Sequence, residues 1–323
     1  MKKELNFIEE KNRLIPNTIL EELKIKKDQQ IHFEKKSECL KVYEIVNKIL
    51  GPRGFEEFSA GQFKTVAGGS LNCSNKIKNY AVGKGMIANG FTYISDIIDY
   101  CQFCIDNSVL IPLENIIEEF EWAKKAINQG YITLHSNGKM RYDIEAIMDI
   151  TKGLLVEVAF KIDSKRKNIE IELNRDFFIG TSNTDEGQDI KRIKLSGDDF
   201  ISPKIKVQIK DTQYFMLISE NEFDGPRKAE LFIAYKVHWK KANTGQRFFR
   251  SLGGRGEDIF SDFPALKGIR AERRGWALRK DFKKLKASEK YKGRSFNNDN
   301  EYVYWDDLRN LNDLFPKLKE LVT

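Results

Sequence analysis

The spacing of apolar residues predicts helices in the first half of the chain. Between Ser37 and the Gly51-Pro52 pair, Val42 and Ile45 begin an apolar series at helical spacing, and similar series recur further along. Four main helices are predicted in this way, over residues 37–50, 92–107, 112–129 and 143–158. A short helix is also expected over residues 17–26, within a charged and weakly periodic amino-terminal segment.

Alternating apolar and polar residues then predict a run of strands. The segments are NIEIEL (168–173), DFFIG (176–180), IKRIKL (190–195), KIKVQIK (204–210), YFMLIS (214–219) and ELFIAYKVHW (230–239). Helices leading into strands predict an α/β (α+β) protein, with a mixed β-sheet core flanked by helices and a mostly helical amino-terminal part. We place the domain boundary near Asp143, which gives domains of residues 1–142 and 143–323.

The segment after the third main helix predicts a short hairpin. Residues 131–142 alternate around an Asn137-Gly138 turn, and Gly130 ends the helix before them. Helix followed by hairpin resembles a winged-helix module, which implies DNA recognition. The predicted exposed helix face, however, carries four glutamates that would repel phosphates: Glu114, Glu118, Glu119 and Glu121. We therefore expect only Lys139 and Arg141 of the hairpin to approach DNA.

Composition narrows the class of protein. Hydrophobic residues make up 41% of the chain and charged residues 32%, as in a globular protein, and no run of eighteen apolar residues predicts a membrane span. The amino terminus lacks the apolar core of a secretion signal. Four cysteines are too few for a disulfide scaffold at this length, and Cys101 and Cys104 are expected to fill a core. These features predict a cytoplasmic protein.

The positive charge is concentrated toward the carboxyl terminus. The net charge is +7, and residues 227–294 hold 20 Lys or Arg against 7 Asp or Glu. Such a segment favours binding to a polyanion, although a solvated basic surface is the alternative. Within it, residues 278–286 are predicted to form a basic helix, and residues 305–321 the last helix. The candidate nucleic-acid contacts are Lys76, Lys78, Lys139, Arg141, Arg247, Arg250, Arg273, Arg274 and Arg279.

The strands over residues 190–195 and 204–210 carry the candidate chemistry. Joined by the turn SGDDFISP as an antiparallel pair, they would bring Asp189 beside Gln208 and Lys210. Those last two residues share one strand face, and Ile209 is turned away from it. An acid, an amide oxygen and an ammonium group on one surface can hold a divalent metal beside a phosphodiester. The pattern therefore predicts nuclease chemistry.

These residues resemble the PD-(D/E)xK nuclease superfamily in its Q-x-K variant, known from Mrr-type and modification-dependent restriction enzymes and similar to the NO VEIN C-terminal domain. GQDI (187–190), VQIKDT (207–212), FMLISENEF (215–223) and ELFIAYKVHW (230–239) carry the likeness, about a quarter of the chain. The resemblance implies Asp189, Gln208 and the carbonyl of Ile209 as ligands of Mg²⁺ and Lys210 as the catalytic lysine. A further acid would be Glu157 or Glu222.

The expected protein is therefore a Mg²⁺-dependent restriction-type endonuclease acting on double-stranded DNA, with a nuclease core in residues 143–323. Cutting both strands favours a homodimer, because one active site cleaves one strand at a time. Two alternatives stay open. One is a non-catalytic winged-helix regulator with a degenerate nuclease core. The other is a rival acidic set for the same chemistry, made of Asp163, Glu170 and Glu172.

Overall fold

The computed structural model describes a chain of mixed α/β class, with helices and both parallel and antiparallel strand pairs. The described residues are 16–22, 24–32, 36–55, 91–128, 143–175, 188–195, 197, 199–212, 215–225, 228–238, 268–287, 290–291, 294–295 and 299–322. Two compact units are distinguished, one of Met1–Leu110 with His238–Arg270, the other of Ile111–Val237 with Ala271–Thr323. The predicted boundary near Asp143 separates a DNA-recognition region from a nuclease core, and this division stays a prediction.

The first unit contains the amino-terminal helices and a two-stranded sheet. Its described elements are α1 (Pro16–Glu22), β1 (Gln30–His32), α2 (Lys36–Leu50), β2 (Phe91–Tyr93) and α3 (Ile94–Asp106). Residues at helical spacing, among them Ile45, Ile49 and Ile97, form its buried core, which confirms the helices predicted over 37–50 and 92–107. The second begins slightly late because β2 pairs antiparallel with β1.

Two helices of the second unit pack against each other and support the candidate site. After β3 (Ser108–Pro112), α4 spans Leu113–Asn128 and α5 spans Asp143–Lys165. The predicted end of α5 near Val158 is wrong. The helix continues through the buried residues Phe160 and Asp163, because these positions pack inward one turn apart.

Five strands of the second unit follow the predicted order with shorter bounds: β4 (Glu170–Leu173), β5 (Ile190–Lys194), β6 (Val207–Asp211), β7 (Phe215–Ser219) and β8 (Leu231–Val237). The strands that come after them were not predicted. They are β9 (Gly268–Leu278), β10 (Lys283–Leu285), β11 (Lys290–Tyr291), β12 (Arg294–Ser295) and β13 (Asn300–Tyr304). The helix α6 (Glu220–Asp224) follows β7, and α7 (Leu314–Val322) is the last of the described elements.

The pairing of these strands corrects one prediction that concerns the site. A four-stranded sheet has the order β3-β9-β8-β6, with β6 parallel to β8 and β8 antiparallel to β9. The strand β5 pairs with β4 instead of forming the predicted antiparallel pair with β6. The turn after β5 folds back on it through an Ile193–Ile201 bridge, so that β5 is already paired when the chain reaches β6. A third sheet has the order β10-β13-β7.

The basic segment 278–286 is not the predicted helix. It consists of the end of β9, a 3₁₀ turn over Arg279–Asp281 and the strand β10. Asp281 accepts a hydrogen bond from the backbone of Leu278 at 2.7 Å, which fixes the turn between the two strands. The last helix is also shorter than predicted, since two 3₁₀ turns, Trp305–Asp307 and Leu311–Asp313, precede it.

Two predicted elements lie outside the described residues, namely the hairpin over 131–142 and the strand over 176–180. Among the helices that are described, none has the length and apolar character needed to cross a membrane.

Candidate active site

The residues before β5 lie along β6 and place an acid against it. The backbone N–H of Asp189 donates to the carbonyl of Val207 at 3.0 Å, and the N–H of Ile209 donates to Asp189 Oδ2 at 2.5 Å. Gln188 completes the contact, because its Oε1 accepts from the N–H of Val207 at 2.8 Å. Asp189 therefore contacts β6 through both its side chain and its backbone, while its expected position beside the side chains of Gln208 and Lys210 stays a prediction.

This contact also determines where the carbonyl of Ile209 points. In a strand the N–H and C=O groups of one residue point to the same side. Since the N–H of Ile209 bonds to Asp189, its C=O is directed toward the same side of β6. A carboxylate and a backbone carbonyl therefore face one region at the side of β6 opposite β8.

Gln208 and Lys210 occupy the next alternate positions of β6. Gln208 is buried, with 3% of its surface exposed. The ammonium of Lys210 forms an ion pair with Glu222, and their side chains are 29% and 34% exposed. Glu222 lies in the first turn of α6, where its N–H donates to Ser219 Oγ at 3.3 Å. The structure thus gives Lys210 a partially exposed position and Glu222 a contact with it.

Glu157 lies on α5 and carries an electrostatic link to Asp189. Burial, and after it the charge of Asp189, raises the pKa of Glu157 well above its ordinary value. Arg175 opposes this shift by donating a hydrogen bond to Glu157. Of the two predicted additional acids, Glu157 therefore has a charge interaction with Asp189, and Glu222 is the partner of Lys210.

Arg175 is the residue of this region that the sequence did not single out. It follows β4, and its guanidinium contacts Glu157 and, at 2.9 Å, Glu119. Burial alone would lower the pKa of Arg175, but the two carboxylates raise it above its ordinary value. The predicted exposure of Glu119 is wrong: it is buried, and burial raises its pKa although Arg175 lowers it in part. Its position one turn from the apolar residues Ile116 and Ala123, which are buried, was the available signal.

The donor set suits a hard divalent cation. Asp189 and Glu157 offer carboxylate oxygens, Gln208 an amide oxygen and Ile209 a carbonyl oxygen, and Mg²⁺ prefers oxygen ligands while keeping several waters. Within the described ranges, no group of three or more His, Cys, Asp or Glu side chains is placed to hold a metal. A cation here would accordingly depend on the amide, the carbonyl and water as well as on carboxylates.

The rival acidic set is not assembled. Asp163 is buried and accepts hydrogen bonds from Arg273 and, at 3.0 Å, from the Tyr235 hydroxyl. Glu172 pairs with Arg192, and Glu170 lies 3.7 Å from Lys194. Each acid has its own cationic partner, so the three do not converge on one site.

Three of the predicted nucleic-acid contacts are engaged within the protein. Arg273 pairs with Asp163 and is only 12% exposed. Arg274 lies 2.7 Å from Glu272. Arg279 pairs with Asp224 and stacks over the Phe223 ring at 4.0 Å. The other predicted contacts lie outside the described residues: Lys76, Lys78, Lys139, Arg141, Arg247 and Arg250.

Comparison of the chain with models of known protein families, with curated proteins and with solved structures gives no match. The structure defines a mixed α/β protein in which an acid, an amide and a lysine are placed along β6. The resemblance to PD-(D/E)xK nucleases rests on the quoted residues and stays a prediction.

Proposed function

We propose that this chain is a divalent-metal-dependent endonuclease that hydrolyses DNA phosphodiester bonds. One observation carries the proposal: the carboxylate of Asp189 is fixed by the N–H of Ile209, between the strand positions of Gln208 and Lys210. The contact of Asp189 with β6 supports the proposal, even though β5 pairs with β4 and not with β6 as expected.

The proposed ligands of Mg²⁺ are Asp189, Gln208 and the carbonyl of Ile209, with Glu157 as the additional acid. When bound, Mg²⁺ would supply Lewis acidity toward the phosphate oxygens and toward the attacking water. Gln208 contributes no negative charge, so the two carboxylates would provide the charge that holds the cation. Arg175 pairs with Glu157, and the residue before it, Asn174, donates its backbone N–H to the carbonyl of Asp189 at 2.9 Å; this contact supports the division of roles.

Lys210 has a separate role in the proposal. Its ammonium shares a strand face with Gln208 and is partially exposed, so a phosphate of DNA can approach it. There the ammonium would offset the negative charge that develops on the phosphate and help to orient the water. Glu222 would hold the lysine side chain in place before substrate binds.

Duplex DNA is the proposed substrate because the carboxyl-terminal part of the chain is strongly basic, with 20 Lys or Arg against 7 Asp or Glu over residues 227–294. A homodimer is proposed for the same reaction, since two copies of one site would cut the two strands.

A plasmid-nicking assay tests the proposal. Asp189→Asn and Lys210→Ala should each lower the Mg²⁺-dependent rate about 100-fold or more, because each removes a group that acts on the reacting phosphate or its cation. Lys204→Ala is the matched control, since Lys204 is an exposed lysine shortly before β6, and its rate should not change. Methylated and unmethylated plasmids are both used. Nicking by the two site variants at the wild-type rate would show that the assignment is wrong.

The second candidate function is a DNA-binding regulator with a degenerate core. It is favoured by the ion pairs that engage Lys210 with Glu222 and Glu157 with Arg175. In that case the purified protein would bind both plasmids and cleave neither, with or without Mg²⁺.

A further inference from the structure

Arg175 joins glutamates from two helices beside the candidate site. Its Nη1 donates to Glu157 of α5, and its Nη2 donates to Glu119 of α4 at 2.9 Å. The preceding residue is attached to the site, because the N–H of Asn174 donates to the carbonyl of Asp189 at 2.9 Å. The chain thus places this guanidinium next to the proposed metal ligands through a backbone contact.

Arg175 supplies the positive charge that balances the carboxylates of Glu119 and Glu157. The side chains of Glu119 and Glu157 are only 9% and 12% exposed, so water screens them weakly. Asp189 adds a third carboxylate to the same region, because its backbone carbonyl accepts the hydrogen bond from Asn174, the residue directly before Arg175. Carboxylates withdrawn from water need a cation close by, and Arg175 provides one positive charge to both glutamates.

A divalent cation at Asp189 would provide the same neutralisation. It would attract Glu157 and repel the guanidinium, because both cations would lie near one carboxylate. A carboxylate oxygen that accepts a hydrogen bond from a guanidinium is also a poorer ligand for a metal. Glu119 offers Arg175 a second acceptor, so the guanidinium can leave Glu157 and stay paired.

We propose that Arg175 is the resident counter-ion of Glu157 in the cation-free protein, and that a divalent cation bound at Asp189 displaces it from Glu157 toward Glu119. The inference rests on the metal site of the proposed function. Linkage makes the effect reciprocal: to the extent that Arg175 weakens cation binding, the cation weakens the contact between Arg175 and Glu157.

Binding of Mn²⁺, followed by the loss of its free-ion paramagnetic resonance signal, tests this inference without relying on cleavage. Arg175→Met should bind Mn²⁺ about 10-fold more tightly than wild type, since the competing charge is gone. Arg192→Met is the matched control. Arg192 pairs with Glu172, and its side chain is 48% exposed. The Arg192→Met protein should bind Mn²⁺ as wild type does.

Thermal unfolding in chelator and in Mn²⁺ supplies the second measurement. Arg175→Met should unfold at a lower temperature than wild type in chelator, and Mn²⁺ should raise its unfolding temperature by more than it raises that of wild type. Arg175→Lys covers the case in which the methionine variant does not fold. It retains the charge but cannot bond two glutamates with a planar fork, so a gain in Mn²⁺ affinity of about 3-fold is expected.

The outcomes separate this inference from the metal site itself. If Asp189→Asn loses Mn²⁺ binding while Arg175→Met and Arg175→Lys bind as wild type does, the metal site stands and the counter-ion role is wrong. Weaker binding by the Arg175 variants also overturns it, since that result makes Arg175 a positioning residue for Glu157. A wild-type protein that binds no Mn²⁺ overturns both the inference and the metal site.

Discussion

Replacing Asp163 with alanine should destabilise the second unit strongly. The Asp163 side chain is 1% exposed and accepts hydrogen bonds from Arg273 at 2.5 Å and from the Tyr235 hydroxyl at 3.0 Å. Arg166 is close enough to feel the charges of both Asp163 and Arg273, although burial is what mainly lowers its pKa. Without the carboxylate, the guanidinium of Arg273, which is only 12% exposed, would lose its ion-pair partner.

The size of the stability loss follows from the two groups that lose the Asp163 carboxylate as a partner, Arg273 and the Tyr235 hydroxyl. Removing one member of a buried ion pair costs about 3–5 kcal/mol, because the remaining charge stays withdrawn from water. The lost acceptor of a buried tyrosine hydroxyl adds about 1 kcal/mol. Together these contributions give a loss of about 4–6 kcal/mol, a large part of the roughly 5–15 kcal/mol that stabilises a typical domain. The double variant Asp163→Leu/Arg273→Met removes both charges and should recover most of the loss.

Urea denaturation followed by circular dichroism measures these differences in the free energy of unfolding. The urea concentration at the unfolding midpoint should change, while the dependence of the free energy on urea concentration should stay constant. A loss below about 1 kcal/mol for Asp163→Ala, or a double variant as unstable as the single one, would refute the reasoning. The same variants test the predicted DNA contact. Arg273→Met should lower stability and leave the salt dependence of DNA binding unchanged, whereas a phosphate contact would lower its slope by about 1.

Two further predictions concern the fold. Gly275→Ala should destabilise by about 3 kcal/mol or more, because its φ is 138° and a Cβ there would lie 2.4 Å from the carbonyl oxygen of Arg309. The control Gly153→Ala, in open space inside α5, should stabilise by up to about 1 kcal/mol, and equal unfolding midpoints for the two would contradict the geometry. Burial would raise the pKa of Asp281, yet hydrogen bonds from Arg309 and Leu278 lower it overall. This carboxylate therefore stabilises the fold at neutral pH, and its contribution is lost as pH falls through the lowered pKa. Because Arg309 is 37% exposed, solvent weakens this ion pair. The free energy of unfolding of wild type should exceed that of Asp281→Asn by only about 1 kcal/mol at pH 7, and by less at pH 3. A difference that is the same at both pH values would contradict this reasoning.

The sequence predicted elements whose periodicity is regular and missed those where charge is buried. The helix α2 followed its apolar spacing, whereas α5 continued past its predicted end because Asp163 is a buried acid that is paired from a distant strand. Likewise, Glu119 was assigned to the exposed face of α4, since nothing local indicates its partner Arg175. Long-range ion pairs leave no periodic signal in a sequence.

The candidate site shows the same division. Alternation along β6 predicted that Gln208 and Lys210 share a face, and the contact between Asp189 and this strand was expected. This contact was expected to come from a hydrogen-bonded ladder between β5 and β6, but β5 pairs with β4. Strand partners depend on tertiary packing, which the spacing of residues along one strand does not specify.

The hydrogen bonds along the outer edge of β6 have a consequence for assembly. Among the described strands β6 is one of the two edge strands of its sheet, and an edge strand usually presents unpaired backbone groups to which another chain can add a strand. Here the outward N–H groups of Val207 and Ile209 are already taken by side-chain oxygens of the same chain. Two copies of the protein would therefore not associate by extending this sheet across β6, and β6 is protected from the edge-to-edge contacts that start aggregation.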